Sequence, residues 1–171
     1  MKRAAILVGA LAVVLSMATS AQAQFAGKWT IVVDPAAAPP AAPGGGGGGG
    51  GRGGGGGGAA VGGMEVTIAQ DATSITINKT QGQAPITLKF TLDGKDSKNT
   101  FTGRGGEVVQ TGQAMLSAGK LTISTTQDAG RGPTTTKQVI SIDGGNLKVE
   151  TTAPGRGGGE PTTTTTTYKK G

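Results

Sequence analysis

Four arginines stand apart from the other charged residues because each has glycine on both sides: Arg52, Arg104, Arg131 and Arg156. A guanidinium carried on a glycine loop can bind a phosphate or carboxylate through two parallel hydrogen bonds. Gathered at one end of a fold, the four would form a cationic rim that attracts an anionic amphiphile or an envelope polymer. Glycine loops also need an occasional charge for solubility, and that plainer reading stands beside the first. RNA-binding repeats of arginine and glycine come in dense arrays with aromatics that stack on bases. These are isolated and have no interleaved aromatic, so no nucleic acid is expected as a partner.

Little else in the chain could do chemistry. It has no histidine and no cysteine, which removes the usual general base, thiol nucleophile and zinc ligands. Asp93, Asp96 and Asn99 offer oxygen ligands at spacings of three, and calcium uses such groups. An EF-hand loop alternates its ligands every second residue, however, and Asp93-Gly94 reads more simply as a hairpin turn. A Ser/Lys or carboxylate pair stays open, but every acidic residue also reads as a turn former or solvent-face charge. The expectation is a protein that is not an enzyme and uses no metal and no cofactor.

The elements that would position the arginines are strands. Trp29, Ile31 and Val33 alternate with Lys28, Thr30 and Val32, and Met64, Val66 and Ile68 with Glu65 and Thr67. Ile75 and Ile77 follow, then Ile86, Leu88, Phe90 and Leu92, and a shorter strand around Phe101. A longer segment runs from Glu107 to Leu116, with Gly112 as a bulge or bend. Leu121 and Ile123, Ile140 and Ile142, and Leu147 and Val149 mark three more. The threonine run Thr162 to Thr167, ending at Tyr168, reads as the last strand, because threonine favours strands. Period-two alternation broken by turn residues is the pattern of an all-β sandwich or barrel. A polar outer face points to antiparallel pairing.

The connections are of two kinds, and they alternate. Gln70–Thr73, Asp93–Asp96, Ser117–Lys120 and Asp143–Asn146 are tight. Pro35–Gly63, Thr80–Ala84, Gly103–Gly106, Asp128–Pro133 and Ala153–Pro161 are glycine-rich. In an up-and-down meander of ten strands, all the tight turns share one end and all the glycine-rich loops share the other. If Glu107–Leu116 were two strands, the parity would flip after it. Residues 35–63 should be disordered, because glycine in that number cannot bury enough surface to offset the entropy of ordering.

The first 23 residues read as a secretory signal. Lys2 and Arg3 precede an apolar run, and Ala21-Gln22-Ala23 has the A-x-A form of a cleavage site. Residues 24–171 would then be one β-barrel domain, periplasmic or secreted, with no transmembrane segment. The full chain carries +6; loss of Lys2 and Arg3 lowers this, a mild charge that suits solubility.

Gly27-Lys28-Trp29 is similar to the Gly-x-Trp signature that opens the first strand of the lipocalins. The resemblance implies a meander barrel with Trp29 at its closed end and the long first loop at its open end. It also implies a cation from near the last strand over the tryptophan, here Lys169 or Lys170 beside Tyr168. Leu92-Asp93-Gly94-Lys95, Lys120-Leu121-Thr122-Ile123 and Ser141-Ile142-Asp143-Gly144-Gly145 resemble elements of small exported bacterial proteins with such a barrel. The leading functional reading is a lipocalin-like module that binds a small apolar or amphipathic ligand, a lipid-like or anionic envelope compound. The site would be the interior, with Phe90 and Phe101 on its wall and the four arginines at its mouth. The rival is a structural or envelope-interaction protein with a solid barrel.

Overall fold

The computed structural model describes residues 23–33, 58–81, 84–103, 106–128, 132–155 and 159–171. Ten strands run through them: β1 (Gly27–Ile31), β2 (Glu65–Gln70), β3 (Ser74–Gln81), β4 (Ala84–Thr91), β5 (Asp93–Gly103), β6 (Gly106–Ser117), β7 (Lys120–Asp128), β8 (Pro133–Asp143), β9 (Asn146–Ala153) and β10 (Thr162–Lys170). The alternation seen in the sequence becomes two faces. β4 buries Ile86, Leu88 and Phe90 and exposes Thr87, Lys89 and Thr91. Outer-face threonines pair across strands, as Thr126 does with Thr135 and Thr152 with Thr163.

All the ladders are antiparallel, in the order β4-β3-β2-β1-β10-β9-β8-β7-β6-β5. The sheet therefore curls into a nearly closed up-and-down barrel, as the sequence pattern led one to expect. Residues 106–117 form one strand, so the parity holds. The turns Asp71–Thr73, Leu92, Ala118-Gly119 and Gly144-Gly145 lie at one end. The strand ends that bracket Arg52, Arg104, Arg131 and Arg156 all lie at the other. The arginines themselves are outside the described residues. The pairs Ala118-Gly119 and Gly144-Gly145 all have positive φ, the conformation that a two-residue hairpin turn matched to strand twist requires.

Two local expectations change. Asp93-Gly94 is not the turn between β4 and β5; Leu92 alone makes that connection. Asp93 and Gly94 instead open β5, where the register shifts between Asp93 and Asp96. Gly112 is neither bulge nor bend, because it stays in register with Ser97 and Thr125. Its missing side chain makes room for a neighbour: an added Cβ would sit 2.5 Å from the Phe90 ring and 3.0 Å from Thr125.

The seam between β4 and β5 has no described ladder, and side chains hold it instead. Asn99 accepts from the Lys89 N–H at 2.7 Å and donates to the Lys89 carbonyl at 3.2 Å. Ser97 accepts from the Thr91 N–H at 3.1 Å. These contacts occupy edge groups that would otherwise invite pairing with another chain. Asn99→Ala leaves both Lys89 groups without those partners, at a cost of ~1–3 kcal/mol. Amide exchange should then speed up at Lys89 and not at β7 or β8; unchanged protection at Lys89 would show that something else holds the seam.

Candidate functional site

The barrel interior has two halves of different chemistry. Toward the tight-turn end it is apolar: Trp29, Ile68, Ile75, Leu88, Phe90, Leu121 and Leu147 are all buried. The N-terminal segment stops this end. Phe25 is fully buried and receives a hydrogen bond from Trp29 Nε1 to its carbonyl at 2.9 Å. Gln70 accepts from the Phe25 N–H, and Gln24 donates to the Gly119 carbonyl in a tight turn. The ammonium of Lys170 lies 5.7 Å from the Trp29 ring centroid, within range of a cation–π contact. Trp29 and Lys170 are direct register partners. Lys169 is one residue out of phase and faces away, so of the two lysines the ring contact belongs to Lys170.

Toward the loop end the inward positions turn polar. Gln110 on β6, Thr125 on β7, and Thr136 and Gln138 on β8 are all buried. The walls pair these groups only in part: Gln138 Nε2 donates to the Thr151 hydroxyl at 2.9 Å, while Gln110 reaches Gln127, and Thr125 the Thr136 carbonyl, only at 3.5 and 3.4 Å. Gln110, Thr125 and Gln138 also bond the main chain of residues 58–61, which enters the barrel. Gln110 Nε2 donates to the Gly58 carbonyl at 2.9 Å, and the Thr125 hydroxyl donates to the same oxygen. Lys79 donates to the Ala59 carbonyl. Gln138 reads both sides of Val61, accepting from its N–H at 2.8 Å and donating to its carbonyl at 2.8 Å. The Tyr168 hydroxyl donates to the Gly63 carbonyl at 3.3 Å. Ala60 is fully buried and Val61 is 2% exposed.

This arrangement corrects the expectation of disorder over 35–63 for its last six residues. Ala59-Ala60-Val61 are the only apolar side chains in the glycine run 44–63, and apolar surface is what glycine lacks. Residues 34–57 lie outside the described set. The energetics of the inserted segment are close to balanced. Burying two alanines and a valine contributes ~3 kcal/mol, and five hydrogen bonds add about 1 kcal/mol each. Ordering four residues costs roughly 6 kcal/mol. The segment is therefore held by a margin small enough for another occupant to contest.

Burial pushes the Lys79 amine down to about 8; desolvation disfavours its charge, and the Ala59 carbonyl is a neutral partner. Burial holds the Tyr168 phenol up at about 12.

Of the expected site residues, Phe90 lies in the core cluster and Phe101 is packed against it. Phe90 packs on Gly112 in the apolar half. Phe101 sits toward the loop end and is partly buried. The would-be calcium ligands diverge. Asp93 pairs with Lys95 at 2.8 Å, Asp96 accepts from Gln113, and Asn99 is spent on the seam. Among the described residues, no cluster of acidic side chains could hold a metal ion. No helix among them is long and apolar enough to cross a membrane. A cleft of about 580 Å³ lies at the tight-turn end, between Asp71–Ser74 and Lys89–Asp93. Its carboxylate Asp71 is fully used by the turn, accepting from the backbone and hydroxyl groups of Thr73 and Ser74. Those bonds hold its pKa far below the usual range.

Comparison with known proteins bears on the fold. No protein-family model matches the chain, and no curated protein is detectably similar in sequence. Among solved structures, lipid binding protein 8 of Caenorhabditis elegans, without ligand, is similar over 86% of this chain and 96% of its own, at 11% identity and TM-score 0.50. Zebrafish ileal bile acid-binding protein with cholic acid is similar over 63% of this chain and 72% of its own, at 25% identity and TM-score 0.44. The likeness is one of fold.

Proposed function

We propose that this chain is an exported, non-enzymatic binding module for a small apolar or amphipathic ligand, taken into the loop-end half of the barrel. One observation carries the reading. The barrel is wide enough to hold a stretch of main chain in addition to its own wall side chains, and it lines that space with buried polar groups that bond the inserted main chain. Interiors that are merely packed fill with aliphatic side chains; interiors that receive something place a few polar groups on an apolar wall. The solved structures of similar fold carry the names of lipid- and bile-acid-binding proteins, which suits the reading. The glycine-flanked arginines, whose flanking strand ends lie at this same end, would draw an anionic headgroup to the mouth.

The test is native mass spectrometry of protein purified without denaturant from its own cells. The expected spectrum shows a chain beginning at Gln24 with a lipid-like adduct. Repeated absence of any adduct, together with no uptake of added dodecanoate, would overturn the binding reading. It would favour the rival, a solid barrel, whose own support is the complete burial of Ala60.

A further inference from the structure

Resting on that reading, we propose that the loop-end half of the barrel is a peptide-backbone site. On this proposal its external ligand is a short, extended, apolar peptide, and residues 58–61 are a resident copy of that ligand. The argument starts from which atoms are read. Gln138 engages the N–H and the carbonyl of the same residue, Val61, at 2.8 Å each. A glutamine amide bound in both senses reads the N–H of one peptide unit and the carbonyl of the next, a pairing that fatty acids and sterols do not offer. Gln110, Thr125 and Lys79 take two further carbonyls, those of Gly58 and Ala59. Four consecutive peptide units, counted from the Gly58 carbonyl to the Val61 carbonyl, thus each give one group to a single polar band.

The side chains on this segment are small and apolar, and Ala60 and Val61 are buried among the wall residues. The site therefore selects main chain plus modest apolar side chains. Gln110 adds a second, independent observation. It is fully buried, and its Oε1 has no hydrogen-bond partner among the described residues while its Nε2 serves Gly58. Buried acceptors left unpaired are rare and costly. An occupant offering an N–H beside that carbonyl would complete Gln110 in the way that Val61 completes Gln138. The resident segment meets the band only in part, which is what a displaceable occupant requires.

The segment can also withdraw without disturbing the wall. No described ladder includes it; it is held by side chains. Glycine bounds it on both sides in the sequence, with Gly57 before it and Gly62 and Gly63 after it. Gly63 has φ +91°, a conformation that glycine adopts without strain and a natural pivot.

The experiment uses the full chain with Ala60→Arg, which sets a long cation at a fully buried position next to Lys79 and so expels the segment. The probe is the capped peptide acetyl-Gly-Ala-Ala-Val-Gly-amide, titrated by calorimetry into this variant and into the unaltered protein. The variant should bind it at least about tenfold more tightly, because the resident no longer competes. Adding Gln138→Leu to Ala60→Arg should weaken peptide binding by roughly tenfold or more, through the lost amide pair. Equal binding by the variant and the unaltered protein, or no effect of Gln138→Leu, overturns the inference. Dodecanoate is run in parallel. Uptake of dodecanoate with none of peptide overturns the peptide inference and leaves the binding module standing; uptake of neither removes both. If Ala60→Arg fails to fold by circular dichroism, replacing Ala59, Ala60 and Val61 together by serine carries the same test.

Discussion

Trp29→Ala should destabilise the protein by ~3–5 kcal/mol, the usual cost of emptying a large aromatic site in a core. Urea denaturation followed by far-ultraviolet circular dichroism checks this. Trp29 is 1% exposed and joins three parts of the closed end. Its indole donates to Phe25 at 2.9 Å, its ring lies beneath Lys170, and its strand pairs with both β2 and β10. Removal therefore opens a cavity and also loosens the Phe25 stopper. Lys170→Ala separates the terms. It keeps the ring and loses only an exposed cation–π contact, so it should cost about 0.5–1 kcal/mol. A loss for Trp29→Ala no larger than that for Lys170→Ala would mean that the closed end is not sealed by tryptophan packing.

The closed end was readable from the sequence because its determinants are local. Gly27-Lys28-Trp29, the small turn residues at Ala118-Gly119 and Gly144-Gly145, and strict alternation in β4 and β7 each specify structure over a few residues. Strand parity then carries that local information across the sheet. The open end was not readable in the same way. Gln110, Thr125, Thr136 and Gln138 occupy inward positions, two or four residues along from apolar neighbours such as Ile123 and Ile140. Extending the alternation through them would have shown an inward face turning polar toward one end. Composition alone suggested only threonine-rich strands. Ala59-Ala60-Val61 was hidden by its surroundings, since a window average over that much glycine reads as featureless. The seam was hidden for a different reason. Asn99 acts through its side chain on a backbone ten residues away, and no propensity scale encodes that.

Lys79→Met should remove a pH dependence that the unaltered protein possesses. Burial sets the folded-state pKa of Lys79 at about 8, against 10.5 for a free lysine. Below pH 8 both folded and unfolded chains hold the proton, and the cost of the buried cation is constant. Between pH 8 and 10.5 the unfolded chain still holds a proton that the folded chain has released. Stability therefore rises with pH across this window, by up to about 3 kcal/mol. Other groups work in the opposite sense. The ion pairs hold Lys95 and Lys148 above their ordinary range, so the stability they add is lost as pH rises through their folded-state values. Tyr168, held up at about 12, ionises first in the unfolded chain and lowers stability above pH 10. These terms are common to both proteins, so the comparison isolates Lys79. Urea midpoints at pH 7 and pH 9.8 should show the variant losing its advantage, or increasing its deficit, by about 2 kcal/mol on going to the higher pH. Parallel profiles would place the Lys79 ammonium in water, and with it would fall the Ala59 contact that anchors the inserted segment on the β3 side.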